Sequence, residues 1–403
     1  MKVGVYIAGY APEAGGGYTF ERDILMGLLD HHKESSHSFV ILCPSGLSAT
    51  VQSDVHSTGL SVVSVPESTG LMRMASAAGR ELQFLRAHWR RPSRLDRAAA
   101  LASVNFLWFV SAGVHRTDLP FLTVVWDLQH LVTPWFPEMS AKGVWDSREL
   151  SLASFLQRAT GVVAGTNVGQ NELERFYQLP SERVLMLPHP TPAFALAAAG
   201  QPTDSEVMLK KLGVTGPFIM YPAQLWPHKN HVNLVMALQI LRERHRLPLN
   251  LVLVGSDKGS REHVLQAVAR CGVAEAVHAI GFVTREDLIA LYRGAVALTY
   301  VSWCGPENLP PLEAFALGCP VVASDIPGAR EQLADAAVFV SPGDPESIAS
   351  GVLKVWHDRD MRERLVKSGY KRAQQWTASD YVRGVFEFLD RFEPIARCWG
   401  ASP

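Results

Sequence analysis

The chain has 403 residues, of which 47% are hydrophobic and 19% charged, with a formal net charge of −1. That length suggests two domains of ordinary size, the composition excludes a disordered chain, and the balanced charge gives no reason to expect nucleic acid as a partner. Five cysteines, Cys43, Cys271, Cys304, Cys319 and Cys398, are odd in number and lack metal-ligand spacing, which points to a reducing cytoplasm and no disulfide framework.

Taken in chain order, MKVGVYIAGYAPEAGGG places one Lys before an apolar run. The run is short and β-branched and breaks into glycines, so it reads as a first buried strand rather than a secretory leader. Gly15, Gly16 and Gly17 then let backbone approach a ligand closely, or simply make a flexible turn. Further strand candidates in the first half are SFVILCP, LSVVSVP, VNFLWFV, FLTVVWD, GVVAGT and RVLMLPH. None of these runs approaches the roughly 18 apolar residues of a membrane helix.

Between them, Leu71, Met74, Ala78, Leu82, Leu85 and Trp89 recur at helical spacing, and the stretch 71–97 holds seven arginines against Glu81 and Asp96. A basic amphipathic helix of this kind suits an anionic membrane surface or a lipid-linked diphosphate acceptor; a solvated surface helix reads equally well. FLTVVWD ends on Asp127, with His130 soon after. Asp127 either caps a turn or touches substrate, and His130 is either a core histidine or a substrate contact.

Pro188 to Val207 has linker composition, and a second series of strand candidates follows: FIMYPA, LNLVLVG, AVHAIGFV, AVALTYV, PVVASD and AAVFVSP. Continuous apolar strands separated by helical patterns predict two doubly wound α/β domains facing across a cleft, with ligands at the carboxyl ends of the strands. In YPAQLWPHKNHVNLVMALQIL a helix is expected to enter at Pro227, which puts Lys229 and His231 in a first turn where the dipole disfavours cations. A bound anion reverses that cost, and Gln224, His228 and Asn230 stand beside it. In GPENLPPLEAFALGCPVV, Pro310 and Pro311 preset a helix entrance and Glu313 falls in its first turn. Ordinary capping accounts for Glu313 but leaves the polar GPEN loop unexplained. The amides of Asn308 and Leu309 suit a phosphate or a sugar hydroxyl, and Glu313 a ribose diol.

The stretch NLPPLEAFALGCPVVASDIPGAREQL, preceded by GFVTREDLIALYRGAVALTYVS and LVLVGS, resembles the donor domain of family 4 retaining glycosyltransferases of GT-B architecture. The likeness continues through GDPESIASGVL and covers nearly the whole chain. QQWTASDYVRGVFEFLD is similar to the last helix of that fold, which crosses back to the first domain. The resemblance implies an N-terminal acceptor-side domain over 1–195, a nucleotide-sugar donor domain over 196–376 and a returning segment over 377–403. It also implies a diphosphate held by an Arg and a Lys five residues later, and two glutamates eight positions apart around sugar and ribose. Lys229 matches the Lys and Glu313 the second glutamate, whereas Gln224 stands at the Arg position and Gly305 at the first glutamate.

Both departures resemble a branch linked to mannosyl or related transfers in surface-polysaccharide assembly. Glu307 is expected to supply the missing carboxylate, and His228 with backbone amides is the alternative to the lost Arg. Family members usually carry His where Trp126 stands, and Phe282 and Val283 are candidates for packing on the base. The implied function is retaining transfer of a sugar, such as mannose or a related deoxysugar from a GDP-sugar, to a glycan or lipid-linked acceptor at the inner face of the cell membrane. The DRD run, Asp358 to Asp360, reads as a solvated face, so neither metal nor cofactor is expected. The rival readings are a catalytically degenerate nucleotide-sugar-binding protein and a nucleotide-sugar epimerase; a dehydrogenase fits least, because no glycine fingerprint is present.

Overall fold

The computed structural model describes residues 1–12, 15–46, 49–66, 92–201 and 205–398. The basic amphipathic stretch expected over 71–97 therefore lies outside the described residues up to residue 91. Among the described residues no helix is long and apolar enough to cross a membrane.

Every apolar run named above is a strand. β1 (Lys2–Tyr6), β2 (Ser38–Pro44), β3 (Ser61–Val65), β4 (Phe106–Phe109), β5 (Phe121–Val124), β6 (Gly161–Ala164) and β7 (Val184–Met186) make a parallel seven-stranded sheet in the order β3-β2-β1-β4-β5-β6-β7. β8 (Phe218–Pro222), β9 (Asn250–Val254), β10 (Val277–Gly281), β11 (Ala297–Tyr300), β12 (Val321–Ser324) and β13 (Ala337–Val340) make a parallel six-stranded sheet in the order β10-β9-β8-β11-β12-β13. The strands read as continuous apolar runs because both faces are covered. In the first sheet, Val3, Val5, Phe106 and Trp108 face one core while Tyr6, Leu107 and Phe109 face the other. The strand order reverses between β1 and β4 and between β8 and β11. Parallel sheets open a crevice at such points, and the loops after β1, β8 and β11 are those that carry the glycines, Lys229 and the GPEN segment.

The helix Ala378–Ala396 at the end of the chain completes the first domain. Tyr381, Val382, Val385, Phe386, Phe388 and Leu389 enter the same core as Val3, Phe39 and Phe106. Phe386 packs on Phe39 with ring centroids 5.3 Å apart, and Gly161 leaves room for Phe388, whose Cζ lies 2.8 Å from where a Cβ would stand. A box at Thr377 starts the helix, its backbone N–H donating to Asp380 Oδ2 at 2.8 Å.

Phe388→Ala is therefore expected to destabilise the first domain by about 3–5 kcal/mol, although the residue lies near the end of the sequence. Urea unfolding followed through tryptophan fluorescence measures it; a loss under about 1 kcal/mol would show that the helix merely rests on the sheet.

Candidate functional site

The carboxyl ends of both sheets enclose a cleft of about 720 Å³. On the first-domain wall, the helix Gly16–His31 begins at Gly15, which has φ +71° and offers no side-chain cap. Its first-turn amides and the positive end of its dipole lie at the cleft, which Gly15, Gly16 and Gly17 all line. Glu21, on the same helix, accepts from the amides of Ala8 and Gly9 at 2.7 Å each and from the Ser111 hydroxyl. That carboxylate fixes the loop after β1; the Gly15 amide donates to Pro12 O at 3.0 Å, which leaves the amides of Gly16 and Gly17 to a ligand. Trp126 stands beside Gly17 and Tyr10, so this wall is aromatic where the resemblance implied a histidine.

On the opposite wall the loop after β8 differs from the expected helix entry. Pro227–Lys229 forms one 3₁₀ turn, and the α-helix starts only at His231. The break is Asn230, with φ +62°, whose side-chain amide donates to Val301 O at 2.9 Å and Pro342 O at 2.7 Å. Asn230 is buried, ties three strand ends together and does not line the cleft, which corrects its expected place at the donor. Lys229 does line it. Its Nζ donates to Tyr300 Oη at 2.9 Å, Tyr300 donates to Asn308 Oδ1 at 2.8 Å, and Asn308 Nδ2 donates to Gly305 O at 3.0 Å. This chain of bonds joins the cation to the entrance of the helix Leu309–Ala316.

At that entrance the Asn308 amide donates to Gln332 Oε1 at 3.0 Å, so it does not face a ligand as expected. Two prolines follow, and Leu309 is left as the amide there with no partner among the described residues. The Leu309 side chain meanwhile reaches across into the first-domain core. Glu313 lies in the second turn rather than the first, so capping does not explain it. It is buried, accepts from Tyr292 Oη at 2.6 Å, and burial pushes its pKa up to about 7. The nearby Asp23 raises it further and Arg285 opposes the shift. Asp23 is itself pushed up to about 6 by burial, while its carboxylate accepts from the Ala193 amide at 3.0 Å.

Two glutamates cross the cleft in opposite directions. Glu307 leaves the second domain and accepts from the His189 amide at 2.8 Å, with its other oxygen 4.0 Å from His189 Nδ1. It packs onto Gly165, where an added Cβ would fall on the carboxylate itself. Glu138 leaves the first domain and meets the His228 amide at 2.9 Å and His228 Nδ1 at 2.6 Å through one oxygen. A third crossing places Glu331 on the amides of Asn167 at 2.7 Å and Val168 at 3.3 Å, at the start of the helix Asn167–Tyr177.

Of the expected residues, Gly16, Gly17, Asp127, Gln224, His228, Lys229, Phe282, Val283, Glu307, Asn308, Leu309 and Glu313 share this cleft. Phe282 is 59% exposed there, as a stacking face requires. Asp127 binds Arg148 at 2.7 Å and the Gln129 amide at 2.9 Å, and is held below the usual carboxylate range by those partners against the opposing effect of burial. His130 is fully buried, 3.2 Å from Glu149, and away from the cleft; it is the core histidine of the two readings. Sequence reading missed Glu138, His189, Tyr300, Tyr292, Asp23 and Arg285. Only Arg285 carried a signal, as a cation opening the helix Arg285–Gly294 at the carboxyl end of β10.

Residues 205–372 match the family model for Glycosyl transferases group 1. The O-antigen chain mannosyltransferase B of Escherichia coli is 27% identical over 246 residues, a match spanning 60% of this chain and 63% of that relative's length. Among solved structures, WaaG, described as a glycosyltransferase involved in lipopolysaccharide biosynthesis, superposes with a TM-score of 0.68 over 96% of this chain and 99% of its own, at 18% identity. HepE of Anabaena, solved with UDP and glucose, gives 0.67 over 97% of this chain and all (100%) of its own, at 16% identity. The architecture is GT-B.

Two outcomes follow from the geometry. Glu313 binds its proton more tightly folded (about 7) than unfolded (4.5), so its contribution to stability is present at low pH and is lost as pH rises through about 7. Glu313→Gln should accordingly raise stability at pH 8 by on the order of 3 kcal/mol and leave it unchanged near pH 4; equal curves at both pH values refute the buried charge. Gly165→Ala should evict Glu307 and open the cleft, seen as a larger radius of gyration in X-ray scattering. Adding Glu307→Ala, which removes the clash, should restore the compact form; a double variant as open as the single one refutes that seat for Glu307.

Proposed function

We infer that the protein is an active sugar transferase whose group 1 domain presents a nucleotide-sugar to an acceptor held by the first domain. One observation carries the reading: Lys229 and the uncapped helix start at Gly16 line one cleft, with Glu313 deeper in the same wall as Lys229. A nucleotide-sugar has the matching chemistry. Its diphosphate fits the cation and the helix amides, its ribose diol can donate to Glu313, and its base can lie on Phe282. The donor most in keeping with the O-antigen mannosyltransferase relative is GDP-mannose or a related GDP-deoxysugar, and the acceptor a glycan or lipid-linked glycan of a surface polysaccharide.

The bond from the anomeric carbon to phosphate breaks, and a bond from that carbon to the acceptor oxygen forms on the same face, so configuration is retained. The departing phosphate oxygen takes the acceptor proton. Lys229 and the Gly16 and Gly17 amides stabilise the charge that grows on the diphosphate, an oxyanion-hole role. These groups do so without a metal ion, and association with anionic lipid through the segment 71–97 brings the enzyme to its acceptor. The degenerate reading is disfavoured because Lys229 is held in place by Tyr300 rather than spent in an ion pair among the described residues.

Thermal-shift titration with GDP-, UDP- and ADP-sugars, with and without magnesium, tests this. A ligand at a hundred times its Kd stabilises by about 2.7 kcal/mol. One class is expected to do so equally with chelator, and Lys229→Ala to abolish the shift and lower turnover by about 10²-fold or more. Stabilisation that needs magnesium refutes metal independence, and full turnover in Lys229→Ala refutes the site.

A further inference from the structure

The diphosphate end of this cleft is short of positive charge. Gln224 stands after β8, and Arg285, the other cation lining the cleft among the described residues, lies over the Phe194 ring at 4.9 Å, near Asp23 and Glu313. Next to Lys229, however, His228 is fixed at almost every polar atom. Its carbonyl accepts from the Trp303 amide at 2.8 Å and from Ser302 Oγ at 3.3 Å. Its own amide and Nδ1 both meet Glu138 Oε1, and the Phe136 ring flanks it edge-on at 6.2 Å. The remaining atom, Nε2, has no protein partner among the described residues, on a side chain 13% exposed in a residue that lines the cleft.

We propose that His228, oriented across the cleft by Glu138, is the second diphosphate-binding cation, and that it takes up a proton from solvent as the nucleotide-sugar binds. The proposal rests on the reading of the cleft as a nucleotide-sugar site. Among the charged groups around the ring, Glu138 and Asp127 favour its charged form and Lys229 opposes it; His231 is kept neutral mainly by burial, and so is the Cys304 thiol. Without ligand, burial and Lys229 outweigh the carboxylates and hold the ring neutral, its Nδ1–H given to Glu138 and a lone pair on Nε2. A diphosphate brings two negative charges beside Nε2 and reverses that balance. The protonated ring then donates to a phosphate oxygen while remaining paired with Glu138. Because Glu138 and His228 belong to different domains, the pair forms only in the closed cleft, and the ring it orients stays neutral there until the diphosphate arrives. Glu138 is a positioning residue here, and His228 the contact.

Calorimetry of the wild type with the nucleotide-sugar that stabilises it, in phosphate and in Tris at about pH 7, measures the proton. A nucleotide-sugar has no group of its own titrating near neutrality, so any uptake belongs to the protein. Net uptake is expected, with affinity falling as pH rises, at most about tenfold per pH unit. His228→Gln should abolish the uptake and flatten that dependence; Glu138→Gln should reduce uptake while the imidazole remains. Tight wild-type binding without proton uptake, or uptake unchanged in His228→Gln, overturns the proposal alone. Failure of every nucleotide-sugar to bind overturns the functional reading with it.

Discussion

The closed form of this molecule depends on buried carboxylates that find their partners in the other domain. A carboxylate removed from water is costly unless donors replace its hydration. Glu138 and Glu307 meet that requirement reciprocally, each taking a backbone N–H of a histidine on the far wall. Both therefore lose their donors when the domains part, and regain water instead. The two halves thus have one well-satisfied mutual arrangement and an alternative in which the same groups are hydrated. The difference between these states is small compared with the individual terms. A cleft with that balance can be tipped by a ligand that adds a few charge-assisted bonds, which is what a charged donor brings.

Other features follow from the same need to hold two switch points face to face. The chain crosses between domains twice, once through the linker and once through Trp376, whose indole donates to Pro188 O at 2.8 Å while the Thr191 amide donates to its carbonyl. Asp23 caps the linker helix at Ala193, and Arg285 lies on Phe194 of that helix. The linker is therefore gripped by one residue from each wall, and both of these residues also act electrostatically on Glu313. Nucleotide-side chemistry and hinge position share the same small group of charges.

How far this was legible in sequence divides along a physical line. The strands and their parallel arrangement were readable, because uninterrupted runs such as FLTVV and NLVLV are tolerated only in a sheet covered on both sides. The glycines after β1, Lys229 and Glu313 were readable because they stand next to such strands or inside a recognisable spacing. Asn230 and His130 were not. Their side chains are polar and near the right strand ends, but each finds its partners inward: Asn230 on the Val301 and Pro342 carbonyls, and His130 on Glu149 through Nε2. Local sequence gives the position of a side chain along the chain and not the direction in which it finds partners. Glu138, in PEMSAKG, carries no local mark at all: its importance arises from a residue 90 positions away.

Tyr300 shows the same limit from the opposite side. It ends β11 in a run that reads as ordinary buried strand, and its ring does bury, edge-on to Tyr221 at 5.3 Å. Its hydroxyl, though, lies where two loops from neighbouring strands converge, accepting from Lys229 and donating to Asn308. A phenylalanine would fill the same volume and leave the ammonium without that acceptor. Of the two missing charges of the implied motif, Gln224 precedes this relay in sequence and Gly305 lies within it, its carbonyl accepting from Asn308. Where a salt-bridged site fixes its lysine by charge, this one fixes it by a neutral hydroxyl and by the face of a ring 5.2 Å away. Neutral partners leave the full positive charge of Lys229 available to an incoming anion, which an ion pair with a neighbouring carboxylate would have cancelled in part.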